Sequence, residues 1–247
     1  MLVQALLLAA AGFLAGAVNA VAGGGSLIVF PALLATGLAP LPATVTNSVT
    51  QGPGFLGATA SQRADLRGRP RRLLHTSIAT VFGTLGGCAL LLLLPSGVFD
   101  AVVPALMVVA ALLMAFQQRI QRWLSRSHSG DRTGLLLGGT FLVSIYGGYF
   151  GGARSIVLIA LLMLTSSDEV RRLNALKNWL ALVDSAVTLV VFALLAPVHW
   201  LAVLVLTPTT VAGGFVGGKL SRLLPATALR HVVVVFALAV AVWMVLR

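Results

Sequence analysis

The chain has 247 residues, 58% of them hydrophobic and 9% charged, with a mean hydropathy of +1.00. A soluble domain of this length needs more polar surface to stay dispersed, so the composition excludes one. The net charge of +11 does not indicate nucleic acid, because the cations fall in short clusters between apolar stretches, as membrane topology is written.

Apolar stretches of about 20 residues, long enough to cross a hydrocarbon core, recur along the whole chain. The predicted fold is an all-α polytopic membrane protein. Val18-Asn19-Ala20 resembles a signal cleavage site. No positive charge precedes it and the apolar run resumes, so Met1–Ala22 reads as a mature membrane segment. The predicted segments run over 3–37 (broken near Gly23–Gly25), 43–62, 73–94 and 98–117. After a polar linker come 134–165 (broken near Gly147–Arg154), 174–195, 198–218 and 226–246.

Those segments form one unit used twice, with a period of about 128 residues. Ser26 corresponds to Ser155, Asn47 to Asn174 and Gln51 to Asn178, and Gly86-Gly87 before Pro95 corresponds to Gly217-Gly218 before Pro225. The units are 1–118 and 134–247, joined by a cytoplasmic linker at 119–133. Arginine or lysine clusters occur at Arg63–Arg72, Arg119–Arg132, Arg171–Lys177 and Lys219–Arg230, whereas Leu38–Pro42, Pro95–Asp100 and Ala196–His199 carry neither. If each broken segment enters and leaves on one side, all four clusters face the cytoplasm and all three bare loops face out. That arrangement satisfies the positive-inside rule and gives the two units opposite orientation, the inverted-repeat plan of secondary transporters.

Glycine breaks expose backbone groups that lipid cannot satisfy, so they survive only inside protein or beside a wet cavity. A short helix restarts after each break, at Ser26 and at about Ser155. Its N-terminus carries partial positive charge and unpaired N–H groups, which suits an anion. The bland alternative is tight helix packing. It is the better account of Gly86, Gly87, Gly217 and Gly218. Gly23, Gly24, Gly25, Gly151 and Gly152 interrupt two equivalent segments and are read as site residues.

Arg154 lies among glycines in an apolar run, where an unpaired charge costs roughly 2.5–3.5 kcal/mol. Two readings stay open: it neutralises Asp184 as a structural ion pair, or it binds an anionic substrate in a cavity. Thr44, Asn47, Ser48 and Gln51 share one helix face, matched by Asn174, Lys177 and Asn178 in the second unit. These groups either face the cavity or glue helices together, and Lys177 can instead snorkel to the surface. Asp184 is a candidate carrier of a coupling proton. The histidines share no ligand spacing, so no metal or cofactor is predicted. No P-loop, zinc-protease or serine-nucleophile motif occurs, so no enzyme is predicted either.

AGAVNAVAGGGSLIVFPALLATGLAPLPATVTNSV and SIYGGYFGGARSIVLIALLML, the latter followed by DEVRRLNALKNWL, resemble the two halves of the sulfite exporter TauE/SafE family. The resemblance covers essentially the whole chain. It implies an inner-membrane transporter of small anions such as sulfite or organosulfonates. By position it implies a site at Gly23, Gly24, Gly25, Ser26, Asn47, Gly151, Gly152, Asn174 and Asn178. Ala153 and Arg154 depart from the family's glycine-rich second break, and Asp184 departs from a neutral position. The expected partners are a small anion, the lipid bilayer and a coupling proton or sodium ion. Rival readings are a carrier of another solute with Arg154 locked to Asp184, and a membrane scaffold packed solid between the breaks.

Overall fold

The computed structural model describes residues 2–21, 24–124, 132–220 and 226–246. The described residues form ten α-helices and one short 3-10 turn. The first five helices are α1 (Leu2–Val21), α2 (Ser26–Ala35), α3 (Pro40–Ser61), α4 (Pro70–Leu93) and α5 (Ser96–Leu124). The second five are α6 (Thr133–Tyr149), α7 (Arg154–Thr165), α8 (Val170–Leu195), α9 (Trp200–Leu220) and α10 (Ala226–Leu246). The chain is an all-α polytopic membrane protein. Leu2–Asn19, Pro70–Leu93, Gly97–Leu124 and Val170–Leu195 are long and apolar enough to cross a bilayer.

Some helices begin earlier or end later than the apolar pattern predicts. Pro40 and Pro70 open α3 and α4, because proline's fixed φ and missing N–H suit the first helical turn. The fifth helix continues through Gln117-Gln118-Arg119 to Leu124, since these straight-chain residues are good helix formers.

Both broken segments fold as hairpins. The Gln4 side chain near the start of α1 donates to the Thr36 carbonyl beyond α2, at 3.2 Å. In the second half, the Arg132 N–H before α6 donates to the Thr165 carbonyl ending α7, also at 3.2 Å. Each short helix therefore returns to the face where its hairpin began. At 10 and 12 residues, α2 and α7 span about half a bilayer. They are enclosed by protein: Leu27, Val29, Phe30, Leu33, Ile156, Leu158 and Leu162 are all buried. The lipid-facing surface comes from other helices, through side chains such as Leu74, Phe82, Leu142, Leu204 and Phe215.

Helix neighbours come in exchangeable pairs. The most extensive interfaces are α1 with α9 and α4 with α6, and α3 packs on α8 between them. Glycine makes both large interfaces possible. A Cβ at Gly16 would strike the Thr210 carbonyl, and one at Gly87 would strike the Ile145 carbonyl, so these backbones touch directly. Gly86 is looser, since a Cβ there would lie 3.8 Å from the Ile145 side chain, while Gly217 and Gly218 lie outside the side-chain positions described. Gly12 meets Leu206 and Gly16 meets Gly214, so α1 and α9 run parallel; Gly83 against Phe141 and Gly87 against Ile145 make α4 and α6 parallel too. By contrast α3 and α8 are antiparallel, since Gly52 lies against Ser185 while Gln62 bonds Asn178.

One face of the bundle is rich in arginine. There Arg69 and Arg72 pair with Asp168 at 2.9 and 2.7 Å, and Arg171 pairs with Asp65 at 2.5 Å. These pairs bring the first and third cation clusters together, and Arg132 of the second lies on the same face beside Arg69 and Arg71. The side chains of Lys219, Arg222 and Arg230 lie outside those described.

Candidate functional site

The first break turns at Gly24, whose φ of +90° is open to glycine, with Met114 of α5 covering it. Asn19, near the end of α1, closes this turn through a chain of amides. The Gly25 N–H donates to Asn19 Oδ1 at 2.8 Å, and Asn19 Nδ2 donates to Gln51 Oε1 at 3.1 Å. Gln51 Nε2 then donates to Asn47 Oδ1 at 3.2 Å. Helices α1 and α3 are thus tied to the first hairpin tip by neutral groups.

The second break passes through Gly151 at φ +73° and Ala153 at φ +57°. The Tyr146 hydroxyl donates to the Gly152 carbonyl, and Phe150 packs edge-on to Phe30 of α2 with ring centres 5.7 Å apart. From the first residue of α7, the Arg154 side chain runs back along α6 over Gly147. A Cβ at Gly147 would collide with Arg154 Cδ and Nε, so only glycine leaves this path open. The guanidinium ends 3.4 Å from Asp184 Oδ1 and 3.3 Å from Ser144 Oγ. Asp184 also accepts a 2.5 Å bond from the Thr84 hydroxyl of α4. Arg154 is 5% exposed and Asp184 8%, and Arg154 Nε has no partner. Pairing offsets the cost of two buried charges and leaves one guanidinium donor unused.

Between the two tips lies a cavity of about 60 Å³. That volume accommodates a few waters or one compact ion. The helix starts at Ser26 and Ser155 both border it. Neither α2 nor α7 has a side-chain cap. Leu27 and Ile28 bond the Gly24 and Gly25 carbonyls, and Arg154 and Ile156 bond those of Gly151 and Ala153, which leaves the N–H groups of Ser26 and Ser155 unpaired among the described residues. Arg154, Asp184, hydroxyls and amides line the remainder, with Phe55 and Phe150 as apolar wall.

The cavity brings together Gly24, Ser26, Asn47, Gln51, Gly151, Arg154, Ser155 and Asp184 from the sequence-predicted set. Gly25 lies in the wall, bonded to Asn19, and Gly152 is buried beneath Phe150. Gly23 falls outside the described residues. Asn174, Lys177 and Asn178 do not line the cavity. They occupy the first turns of α8, where Asn174 bonds the Val170 carbonyl and Asn178 bonds Gln62. The cavity instead takes Asp184, Ser185 and Thr188 from deeper on α8, because α8 crosses α3 at Ser185.

Sequence reasoning missed Asn19, Gly147, Ser144 and Thr84. An amide in an apolar helix four residues before a glycine break was a usable signal for Asn19. So was the Thr76, Thr80, Thr84 stripe at helical spacing for a polar face on α4.

A family model described as "Sulfite exporter TauE/SafE" matches residues 8–244. A "Probable membrane transporter protein" of Haemophilus influenzae is 27% identical over 230 residues, covering 92% of this chain and 88% of the relative. "Probable membrane transporter protein ORF9" of a Sinorhizobium species is 25% identical over 233 residues, covering 94% and 88%. "Probable membrane transporter protein YfcA" of Escherichia coli K12 is 27% identical over 176 residues, covering 67% and 64%. No solved structure matches the chain.

Proposed function

Because the chain belongs to the sulfite exporter TauE/SafE family of membrane transporters, we propose that it is a secondary transporter of a small oxyanion. Sulfite or a compact organosulfonate is the cargo, and the bacterial inner membrane is the location. The observation that carries this reading is the convergence of two uncapped helix starts, one from each half, on a single polar cavity. Two helix dipoles and a guanidinium favour an anion there without bulk water.

The two halves act as an inverted repeat. Exchanging α1–α5 with α6–α10 preserves every major helix contact. The antiparallel crossing of α3 and α8 gives the relating axis the direction of the membrane plane rather than its normal. Both hairpins return to their own face, the first to the outside and the second to the cytoplasm. Rocking one unit against the other alternates access to the cavity. The Asp65–Arg171 and Asp168–Arg69/Arg72 pairs join the units on the cytoplasmic side, so they must part when that side opens.

The cargo competes with Asp184 for Arg154. When the Asp184 carboxylate takes a proton from water, its hold on the guanidinium weakens and an oxyanion replaces it. One proton then travels with each anion, and anion affinity rises as pH falls.

A second reading is favoured by the 3.4 Å Arg154–Asp184 contact itself: the pair is purely structural and the cargo is another solute. One experiment separates the two. The purified protein is warmed with sulfite, sulfate, thiosulfate, taurine or sulfoacetate, alongside an Arg154→Met/Asp184→Asn variant that leaves no charge unpaired. An anion at 100 times its dissociation constant stabilises the protein by about 2.7 kcal/mol. The expected result is a shift for one sulfur oxyanion, absent in the folded variant. The same shift in the variant would overturn the anion site and support the structural pair.

A further inference from the structure

A second, larger cavity lies on the arginine-rich face, where the starts of α4 and α6 meet the end of α7. It measures about 480 Å³, within the range of small-molecule sites. Arg69, Arg71, Arg72, His75 and Arg132 line it, and among the described residues no aspartate or glutamate does. Asp168 holds Arg69 and Arg72 from the neighbouring surface, whereas Arg71 and Arg132 have no acidic partner among the described residues. Arg72 Nε is buried without a hydrogen-bond partner.

The placement is costly for an empty cleft. Arg71 and Arg72 stand in the first turn of α4, and Arg132 is the residue before α6. Helix starts already carry partial positive charge, so cations there are disfavoured by the dipole as well as by each other. An anion bridging the two starts reverses the sign of both effects. Thr133 adds a hydroxyl, whereas Thr76 and Thr165 donate theirs to the Arg72 and Leu161 carbonyls, and Leu136 and Leu137 form an apolar floor.

We propose that this cleft binds a phosphate group, supplied by an anionic phospholipid of the adjoining leaflet. The guanidinium groups hold the phosphodiester, and the leucine floor receives the glycerol and upper acyl chain. This site is separate from the cavity between the hairpin tips and does not depend on its cargo.

The test uses the full-length protein in neutral detergent, melted with dioctanoyl phosphatidylglycerol, dioctanoyl phosphatidylcholine or inorganic phosphate. Phosphatidylglycerol is expected to raise the melting temperature, phosphatidylcholine to have little effect, and added salt to reduce the shift. Arg71→Gln/Arg132→Gln is expected to weaken binding at least tenfold, while Arg67→Gln, outside the cleft, leaves it unchanged. If inorganic phosphate matches the lipid and fails equally in the variant, the phosphate site stands and its source is soluble. Equal shifts for both lipids, or an unaltered affinity in the double variant, overturn the proposal.

Discussion

At the first hairpin tip the Gly25 N–H meets a neutral amide, Asn19; at the corresponding place in the second stands Arg154, folded back to a carboxylate. The two tips trade volume between their helices. In the first, the long helix carries the side chain and the short helix a glycine: a Cβ at Gly25 would sit 2.8 Å from Asn19 Nδ2. In the second, the long helix has Gly147 and the short helix supplies the arginine. The amide chain keeps its hydrogen bonds whatever the charge around it. The ion pair responds to any proton or anion that reaches it. On the proposed reading, the first half frames the cavity and the second half senses its contents.

Removing one member of the ion pair tests that contrast most severely. Asp184→Ala leaves Arg154 buried and unpaired, a change that costs about 3–5 kcal/mol. Denaturant or thermal unfolding in detergent should show that loss, and adding Arg154→Met should recover most of it. An Asp184→Ala protein as stable as the wild type would mean that water, not the carboxylate, balances the arginine.

The amide chain should be cheaper to break. Asn19→Ala removes the acceptor of the Gly25 N–H and the donor to Gln51, at about 1–3 kcal/mol. Its stability loss should be the same at pH 5.5 and pH 8, because no member of the chain titrates there. A loss that varied with pH across that interval would show the two tips to be coupled.

Much of this arrangement was legible in the residues. The glycine breaks, the short restarting helices and the face bearing Asn47 and Gln51 follow from spacing, and the Arg154–Asp184 contact was one of two readings. The depth of the site on α8 was not legible. Matching the repeats assigns Asn174 and Asn178 to the places of Asn47 and Gln51, yet beside the predicted Asp184 the cavity uses Ser185 and Thr188. That depth depends on where α8 crosses α3, which is set by Gly52 lying against Ser185. No periodicity within one helix records where another helix touches it. Gly147 escaped for the same reason, since its emptiness matters only to a side chain that arrives from another helix.

Backbone strain gives a smaller test of the second tip. Ala153 holds φ +57°, where an L side chain crowds the following carbonyl. Ala153→Gly relieves that crowding but loosens the unfolded chain, so the expected net gain is about 0.5–1 kcal/mol. A fall in stability would show that the Ala153 methyl, which is buried, contributes more by packing than it costs in strain.

The smallest effect concerns acid, and it decides which pH response belongs to the second tip. Asp65 accepts two bonds from Arg171 across the units, and these hold its carboxyl below the ordinary value of 3.8. A carboxyl depressed in the folded state contributes stability above its unfolded value, and that contribution is lost as pH falls through the folded value. The Asp65–Arg171 pair is therefore intact at every pH above about 5 and weakens only in stronger acid. Asp65→Asn should flatten a shallow decline in melting temperature below pH 4 and change nothing near neutrality. An anion affinity that still rises as pH falls in the Asp65→Asn protein then supports the Asp184 carboxylate as the place where the proton acts. If Asp65→Asn abolishes that rise, the proton acts at the face between the units, and the contrast between the hairpin tips does not account for coupling.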